Sequence, residues 1–312
     1  MLVVHSLQTP VFPGERSVVT IGAYDGLHRG HTSVISSVVD RAKQLGHRSV
    51  VVTFDRHPAS VVRPESAPLL ITSLDQRLEL LERTGLDAVV VLEFDETAAA
   101  EEAESFVRRV FVDGLSAIDI VIGEDFHFGK GRRGNVELLA ALGSQHDFSV
   151  TPLELRRSES ADIISSTAIR SALRQGDIKA ASEMLGRNMV IRGQVVHGDE
   201  RGRTIGFPTA NVDVPERFII PADGVYAAKC LTEAGVEFAC AVNIGKRPTF
   251  YGSADRSLVE CHLLDFSGDL YSQMLAVEFV ERLRDEQRFD GLEALTTQLR
   301  ADVDRTRACV RL

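Results

Sequence analysis

Val18-Val-Thr-Ile-Gly-Ala-Tyr-Asp-Gly-Leu-His-Arg-Gly-His31 is the stretch that decides the fold of the first half of this chain. Its opening run, Val18 to Ile21, reads as a buried strand. Beyond it Val34, Ile35, Val38, Val39, Ala42 and Leu45 fall on one helical stripe, and Gly46 is a natural stop. His28 and His31 therefore sit where a strand ends and a helix begins. In an open α/β sheet ligands bind at that place. The free N–H groups and dipole of a helix N-terminus also favour anions. Two imidazoles around Gly30, which lets backbone approach closely, make a phosphate cradle.

Outward from this stretch, further Val- and Ile-rich runs occupy 49–54, 87–92 and 118–122. Such near-continuous runs suit strands buried on both faces of a parallel sheet. Ser73-Leu-Asp-Gln76 opens a helix as a capping-box pattern, and 97–112 reads as another helix. Strands alternating with helices imply a doubly wound α/β domain. The character changes near residue 187. The runs 189–196, 224–231, 238–244, 258–266 and 274–283 are short and β-rich, with Gly, Pro and Asp between them. They predict a mostly antiparallel β domain of barrel type, closed by a helical tail over 290–310. Helices at 167–175 and 178–186 would bridge the two, so the expected domains are 1–186, bridging helices included, and 187–312.

A net charge of −10 argues against a general nucleic-acid binder, though not against a local phosphate pocket. No run reaches the roughly 18 apolar residues of a membrane span. No basic segment followed by a long apolar run marks a signal peptide. Cys230, Cys240, Cys261 and Cys309 lie too far apart for a Cys-x-x-Cys site and read as reduced, mostly buried thiols of a cytoplasmic protein. Nothing in the chain sets an oligomeric state.

Three stretches join the histidines. Phe54-Asp-Arg-His-Pro58 and Gly123-Glu-Asp-Phe-His-Phe-Gly-Lys-Gly-Arg-Arg-Gly134 each follow a predicted strand, so both loops open onto the same crevice. Ile164-Ser-Ser-Thr-Ala-Ile-Arg170 opens a helix that Ser166 or Thr167 caps, with Arg170 on the face of Thr167. Hydroxyls, helix N–H groups and a guanidinium suit a polyphosphate. Taken singly each stretch has a plainer reading: an N-cap, a turn, or core positions for Phe126 and Phe128. Their joint occurrence in chain order points to function. Gly129-x-Gly131-x-x-Gly134 formally matches a dinucleotide fingerprint, but its strand ends too early and no strand–acid element follows. Arg132 and Arg133 read there as a phosphate-attracting loop.

These stretches resemble the nucleotidylyltransferase module of bacterial bifunctional riboflavin kinase/FAD synthetases. The second half extends the resemblance through Gly193-Gln-Val-Val-His-Gly-Asp-Glu-Arg-Gly-Arg-Thr-Ile-Gly-Phe-Pro-Thr-Ala-Asn211, Pro221-Ala-Asp-Gly-Val-Tyr226, Asn243-Ile-Gly-Lys-Arg-Pro-Thr249, Val259-Glu-Cys-His-Leu-Leu-Asp265 and Leu283-Arg-Asp-Glu-Gln-Arg-Phe289. It implies an α/β doubly wound nucleotidylyltransferase-like domain, then a mostly antiparallel β-barrel kinase domain with a C-terminal helix. The second would phosphorylate riboflavin with ATP to give FMN, and the first would join AMP from ATP to FMN, giving FAD and pyrophosphate. Riboflavin, FMN, FAD and ATP are the implied ligands and Mg2+ the implied cofactor, without nucleic acid or membrane.

By resemblance, Glu260 is the kinase base, and Thr209 and Asn211 hold the metal, whose preference for oxygen they meet. Gly198, Arg203, Gly206 and Pro208 complete that phosphate site. In the first domain His28 and His31 are catalytic, while Gly22, Tyr24, Asp25, Gly30, Ser165, Ser166, Thr167 and Arg170 bind ATP. Asp55, His57, Asp125, Phe126, Phe128, Arg247, Pro248 and Arg284 are the implied flavin contacts. Tyr24 replaces a common Phe, Arg56 a frequent Pro, and Asp125 stands where some members carry Asn. An enzyme with one active site, a flavin-binding regulator and a different nucleotidylyltransferase are weaker readings, because motifs for both reactions are complete.

Overall fold

The computed structural model describes all residues of the chain except Gln8, 154–163, 199–200 and 247–256. By their internal contacts the residues form two compact units, Met1–Ser166 and Thr167–Leu312.

The first unit is built on six parallel strands: β1 (Leu2–Val4), β2 (Ser17–Ile21), β3 (Arg48–Phe54), β4 (Ala88–Leu92), β5 (Ala117–Gly123) and β6 (Ser149–Leu153), in the order β1-β4-β3-β2-β5-β6. Every residue of β2 and β4 is buried, as the unbroken Val/Ile runs require of strands covered on both faces. From β2 the chain moves one way through β3 to β4, then returns to place β5 on the other flank of β2. The strand order therefore reverses at β2/β5, and the loops after these two strands diverge to leave a crevice at their carboxyl ends. α1 (Arg29–Leu45) follows β2 and stops at Gly46, whose φ of 69° closes a left-handed C-cap. Ser73 and Gln76 form the expected capping box at the start of α2 (Leu74–Glu82).

Two details differ from expectation. The helix expected over 97–112 breaks into Glu96–Ala99, Ala103–Phe106 and a π-helical turn over Val107–Gly114. The Lys130 N–H claims the Glu101 carbonyl, which takes that acceptor from the helical ladder. The edge strands β1 and β6 also carry little sequence signal, the first being three residues long and the second holding Pro152.

The second unit opens with α3 (Ser166–Gln175, whose first residue closes the first unit) and α4 (Ile178–Leu185). The division at 166/167 differs from the expected 186/187: α4 lies on two barrel strands, and the Leu173 carbonyl accepts the Ala222 N–H. The strands are β7 (Met189–Val196), β8 (Ala210–Asp213), β9 (Gly224–Leu231), β10 (Glu237–Lys246), β11 (Ser257–Leu263) and β12 (Met274–Arg284). They close an antiparallel barrel in the order β10-β11-β8-β7-β12-β9. Alternation sends Tyr226, Ala228, Cys230, Val242, Val259, Cys261 and Phe279 inward, all at most 2% exposed. α5 (Leu292–Cys309) lies outside the barrel, with Val303 and Cys309 against Val225, Ala227 and Leu283.

Candidate active sites

In the first unit His28 is the N-cap of α1, and its Nδ1 accepts the His31 N–H at 3.3 Å. That bond leaves Nε2–H as the donor of a neutral His28 ring. The two imidazoles stack, with centroids 3.5 Å apart, and the Tyr24 ring meets His31 edge-on at 5.1 Å. Gly30 permits this, because a Cβ there would press on the His28 ring at 3.1 Å. Gly22 is tied in the same way to the Tyr24 ring. The hydroxyl that Tyr24 adds to the expected Phe is satisfied by Thr20 at 2.7 Å.

Burial above all, with the His28 and Arg77 side chains close by, pushes the His31 imidazole well below its ordinary range, so His31 is neutral near pH 7. Its Nδ1 is enclosed without a hydrogen-bond partner. The sign of the pH effect follows. Below about pH 6.5 the unfolded chain protonates this residue and the folded chain does not, so acidification removes stability. Lowering the pH from 7.5 to 5.5 should reduce the urea midpoint more in the parent than in His31→Gln, measured side by side. Equal losses in the two proteins would contradict this account.

Arg77, which sequence reasoning missed, explains how the loops are held. It is 5% exposed and reaches from α2 to the carbonyls of Ala23 and Phe54, the latter at 2.9 Å, bracing the loops after β2 and β3. An arginine between Leu74 and Leu78 on a packed helix was the available signal. Asp25 accepts backbone N–H bonds from Ile71 at 2.9 Å and Thr72 at 3.0 Å, so its carboxylate clamps the histidine loop to the segment before α2. Its carbonyl accepts the Ser166 hydroxyl at 2.8 Å. Ser165 precedes α3, Thr167 is exposed on its first turn, and Arg170 is buried farther along it.

After β3, the Asp55 carboxylate accepts the Phe94 N–H at 2.9 Å and pairs with Arg56 at 2.8 Å. Burial raises its pKa, but these partners outweigh burial and hold it below the ordinary carboxylate range. His57 Nδ1 caps the next helical turn by accepting the Ala59 N–H. After β5, Asp125 is exposed and Phe126 half-buried, while Phe128 belongs to the core beside Phe106. The glycines of the apparent fingerprint have local reasons. A Cβ on Gly129 would strike the Ala103 backbone, and one on Gly134 would strike the Phe128 ring.

In the barrel, Glu260 on β11 is in register with Asn211 on β8 and Asn243 on β10. Directly opposed residues share a face, so an acid stands between two amides outside the barrel. A cavity of about 430 Å3 covers them, lined also by Phe207, Thr209, Arg284, Glu286 and Phe289. A second cavity of about 490 Å3 holds Arg203, Pro208 and Thr209. Thr209 lines both, so two ligands could meet at its hydroxyl. With no Cβ, Gly198 lets the Asn211 amide lie against the backbone, and Gly206 turns the chain at a φ of 86°. Arg247 and Pro248 lie outside the described residues.

Arg284 makes a two-pronged ion pair with Asp302 of α5, at 2.7 and 3.0 Å, and its guanidinium faces the Phe289 ring. Asp302 also accepts from Gln298 at 2.9 Å. Asp302, Asn243, Glu286 and His262, whose Nδ1 lies 2.8 Å from the Pro208 carbonyl, went unread in the sequence. Burial and the Asp223 and Glu260 carboxylates raise the Glu286 pKa. The side chains of Arg284 and Asp302 are 14% and 3% exposed. Asp302→Ala should therefore destabilise the barrel by about 3–5 kcal/mol, by stranding a buried guanidinium. Urea unfolding followed by a barrel-specific probe checks this, and a loss under about 1 kcal/mol would make the pair incidental.

The matches to known proteins follow this division. Residues 13–168 match the FAD synthetase family model and residues 185–310 the riboflavin kinase model. The bifunctional riboflavin kinase/FMN adenylyltransferase of Haemophilus influenzae is 38% identical over 292 residues, 93% of each chain. Its counterpart in Pseudomonas fluorescens is 40% identical over 93% of this chain and 92% of its own. The Escherichia coli K12 protein is 37% identical, over 96% and 94%. A crystal structure from Streptococcus pneumoniae, described as a macrolide-efflux protein, superposes with a TM-score of 0.85 at 32% identity over 98% of both chains. Among the described residues of this chain, no helix is long and apolar enough to cross a membrane.

Proposed function

Because the chain belongs to the bifunctional riboflavin kinase/FMN adenylyltransferase family, we propose which of its residues carry each of the two reactions. It is an enzyme that phosphorylates riboflavin with ATP and adenylylates FMN to FAD. The observation that carries the residue assignment is the row Asn211–Glu260–Asn243 lining one cavity, next to a second cavity that shares Thr209.

Riboflavin occupies the cavity of Glu260, Phe289 and Arg284, and ATP the cavity of Arg203, Pro208 and Thr209. Glu260 takes the proton of the terminal ribityl hydroxyl as that oxygen attacks the γ-phosphorus of ATP. Gly198 and Gly206 let the surrounding loops approach the phosphates closely. The donor set fits Mg2+, which prefers oxygen and keeps waters: the Thr209 hydroxyl, the Asn211 amide oxygen and a carboxylate one strand away. When bound with ATP, Mg2+ supplies charge neutralisation at the phosphates.

In the first unit the FMN phosphate is already an anion and needs no strong base. Catalysis there is positioning and charge stabilisation. His28 Nε2–H, His31 and the first N–H groups of α1 receive ATP phosphates. Ser165 and Ser166 hold the phosphates, and Asp55, His57, Asp125 and Phe126 place the flavin. Asp25 and Tyr24 serve by holding the loop and the His31 ring. Phe128 supports Phe126 from the core. A cytoplasmic site of action fits ATP as co-substrate and thiols outside any disulfide.

The test is a time course with purified protein, riboflavin, ATP and Mg2+, resolving flavins by chromatography. FMN should rise first and FAD follow. A parent protein that converted neither riboflavin nor FMN would leave a flavin-binding protein without turnover.

A further inference from the structure

Neither reaction gives a role to the barrel's cysteine thiols, yet three of the chain's four cysteines meet in its interior. Cys230 on β9, Cys240 on β10 and Cys261 on β11 are fully buried, and their sulfurs all lie within 4.8 Å of one another. We propose that Cys230, Cys240 and Cys261 form a three-sulfur site for a soft monovalent cation of the cuprous type.

The spacing supports a shared ion better than a covalent bridge. Cys230 stands opposite Phe238 and Cys240 opposite Ala228, so the two cysteines are diagonal neighbours across β9 and β10. Cys240 and Cys261 are likewise diagonal, facing Leu263 and Val242. Diagonal positions are about 7–8 Å apart at Cα, beyond the usual reach of a disulfide. An ion with metal–sulfur bonds of about 2.3 Å in a trigonal plane holds its sulfurs about 4.0 Å apart, within the spacing already present.

Ligand number and softness select the ion. Among the described residues no fourth His, Cys, Asp or Glu joins the set, so a tetrahedral zinc site is incomplete. Thiolates favour soft ions such as Cu(I), which three sulfurs can hold in one plane, the thiol protons leaving to solvent as the ion binds. Cys261 also borders the cavity that holds Arg203, Thr209 and Tyr271, which provides a way in. Once bound, the ion would tie together β9, β10 and β11, the strands whose outer faces carry Asn243 and Glu260.

The test offers anaerobic Cu(I) as its coloured bicinchoninate complex to the full-length protein. The parent and Cys309→Ala should each withdraw one equivalent. Cys240→Ala and Cys261→Ala should bind at least about 100-fold more weakly, since losing even an outer-shell partner costs 10–100-fold. A parent that withdraws no copper, or alanine variants that match it, overturns the proposal. Thermal melting of the parent does not depend on how the variants fold. One equivalent of Cu(I) should raise the midpoint and Zn2+ should not. A midpoint indifferent to Cu(I), or equally raised by Zn2+, also overturns it.

Discussion

Replacing Glu260 by alanine is expected to lower riboflavin phosphorylation by about 10²–10⁴-fold, the usual worth of a positioned general base. FMN adenylylation by the same molecule should stay at the parent rate. Given riboflavin alone, the variant should accumulate neither FMN nor FAD; given FMN, it should make FAD normally. The selectivity follows from place: Glu260 lies in the second unit, with Asn211 and Asn243 as its register partners, and the stacked histidines lie in the first. Glu260→Gln should be nearly as inactive, because it keeps the shape and loses the proton acceptor. Its riboflavin KM should change little. Glu286 also lines the cavity and is the nearest competitor for the role, but it stands outside the Asn211–Glu260–Asn243 row. A Glu260→Gln enzyme within tenfold of the parent would remove Glu260 as the base.

The complementary result is expected from His28→Asn/His31→Asn. Riboflavin should be converted to FMN at the parent rate and stop there, with FAD formation reduced about 10²–10³-fold, the scale of losing donors to developing charge. Asparagine is chosen because His28 also caps α1. Removing a cap altogether costs about 1 kcal/mol, and Asn keeps an acceptor for that N–H. Neutral His31 acts as a hydrogen-bond donor here rather than as a fixed cation, so the loss should appear mainly in kcat. If the double variant still made FAD at the parent rate, charge stabilisation would have to come from the α1 N-terminus alone.

Much of this architecture was legible in residues 18–46. An unbroken apolar run, a histidine loop, a helical stripe and a stop glycine are local signals, and β2 and α1 fall where they point. Long-range exchanges were not legible. The helix after β4 breaks because a loop residue 29 positions away, Lys130, takes the Glu101 carbonyl, and no local pattern records that. Asp25 reads in the sequence as an ATP-site residue, and only the structure shows its carboxylate accepting the backbone N–H groups of Ile71 and Thr72. Of the two readings the sequence leaves for Phe128, core position or flavin contact, the structure shows the packing in the core.

By itself the sequence determined the fold class, the order of the two units and the family, because these rest on periodicity and on residues adjacent along the chain. Only the tertiary structure decided which side chains share a face. Strand register set Glu260 between Asn211 and Asn243 and turned Cys230, Cys240 and Cys261 toward a common point. Register is fixed by pairing between distant strands, and a slip of one residue would send every one of these side chains to the opposite face.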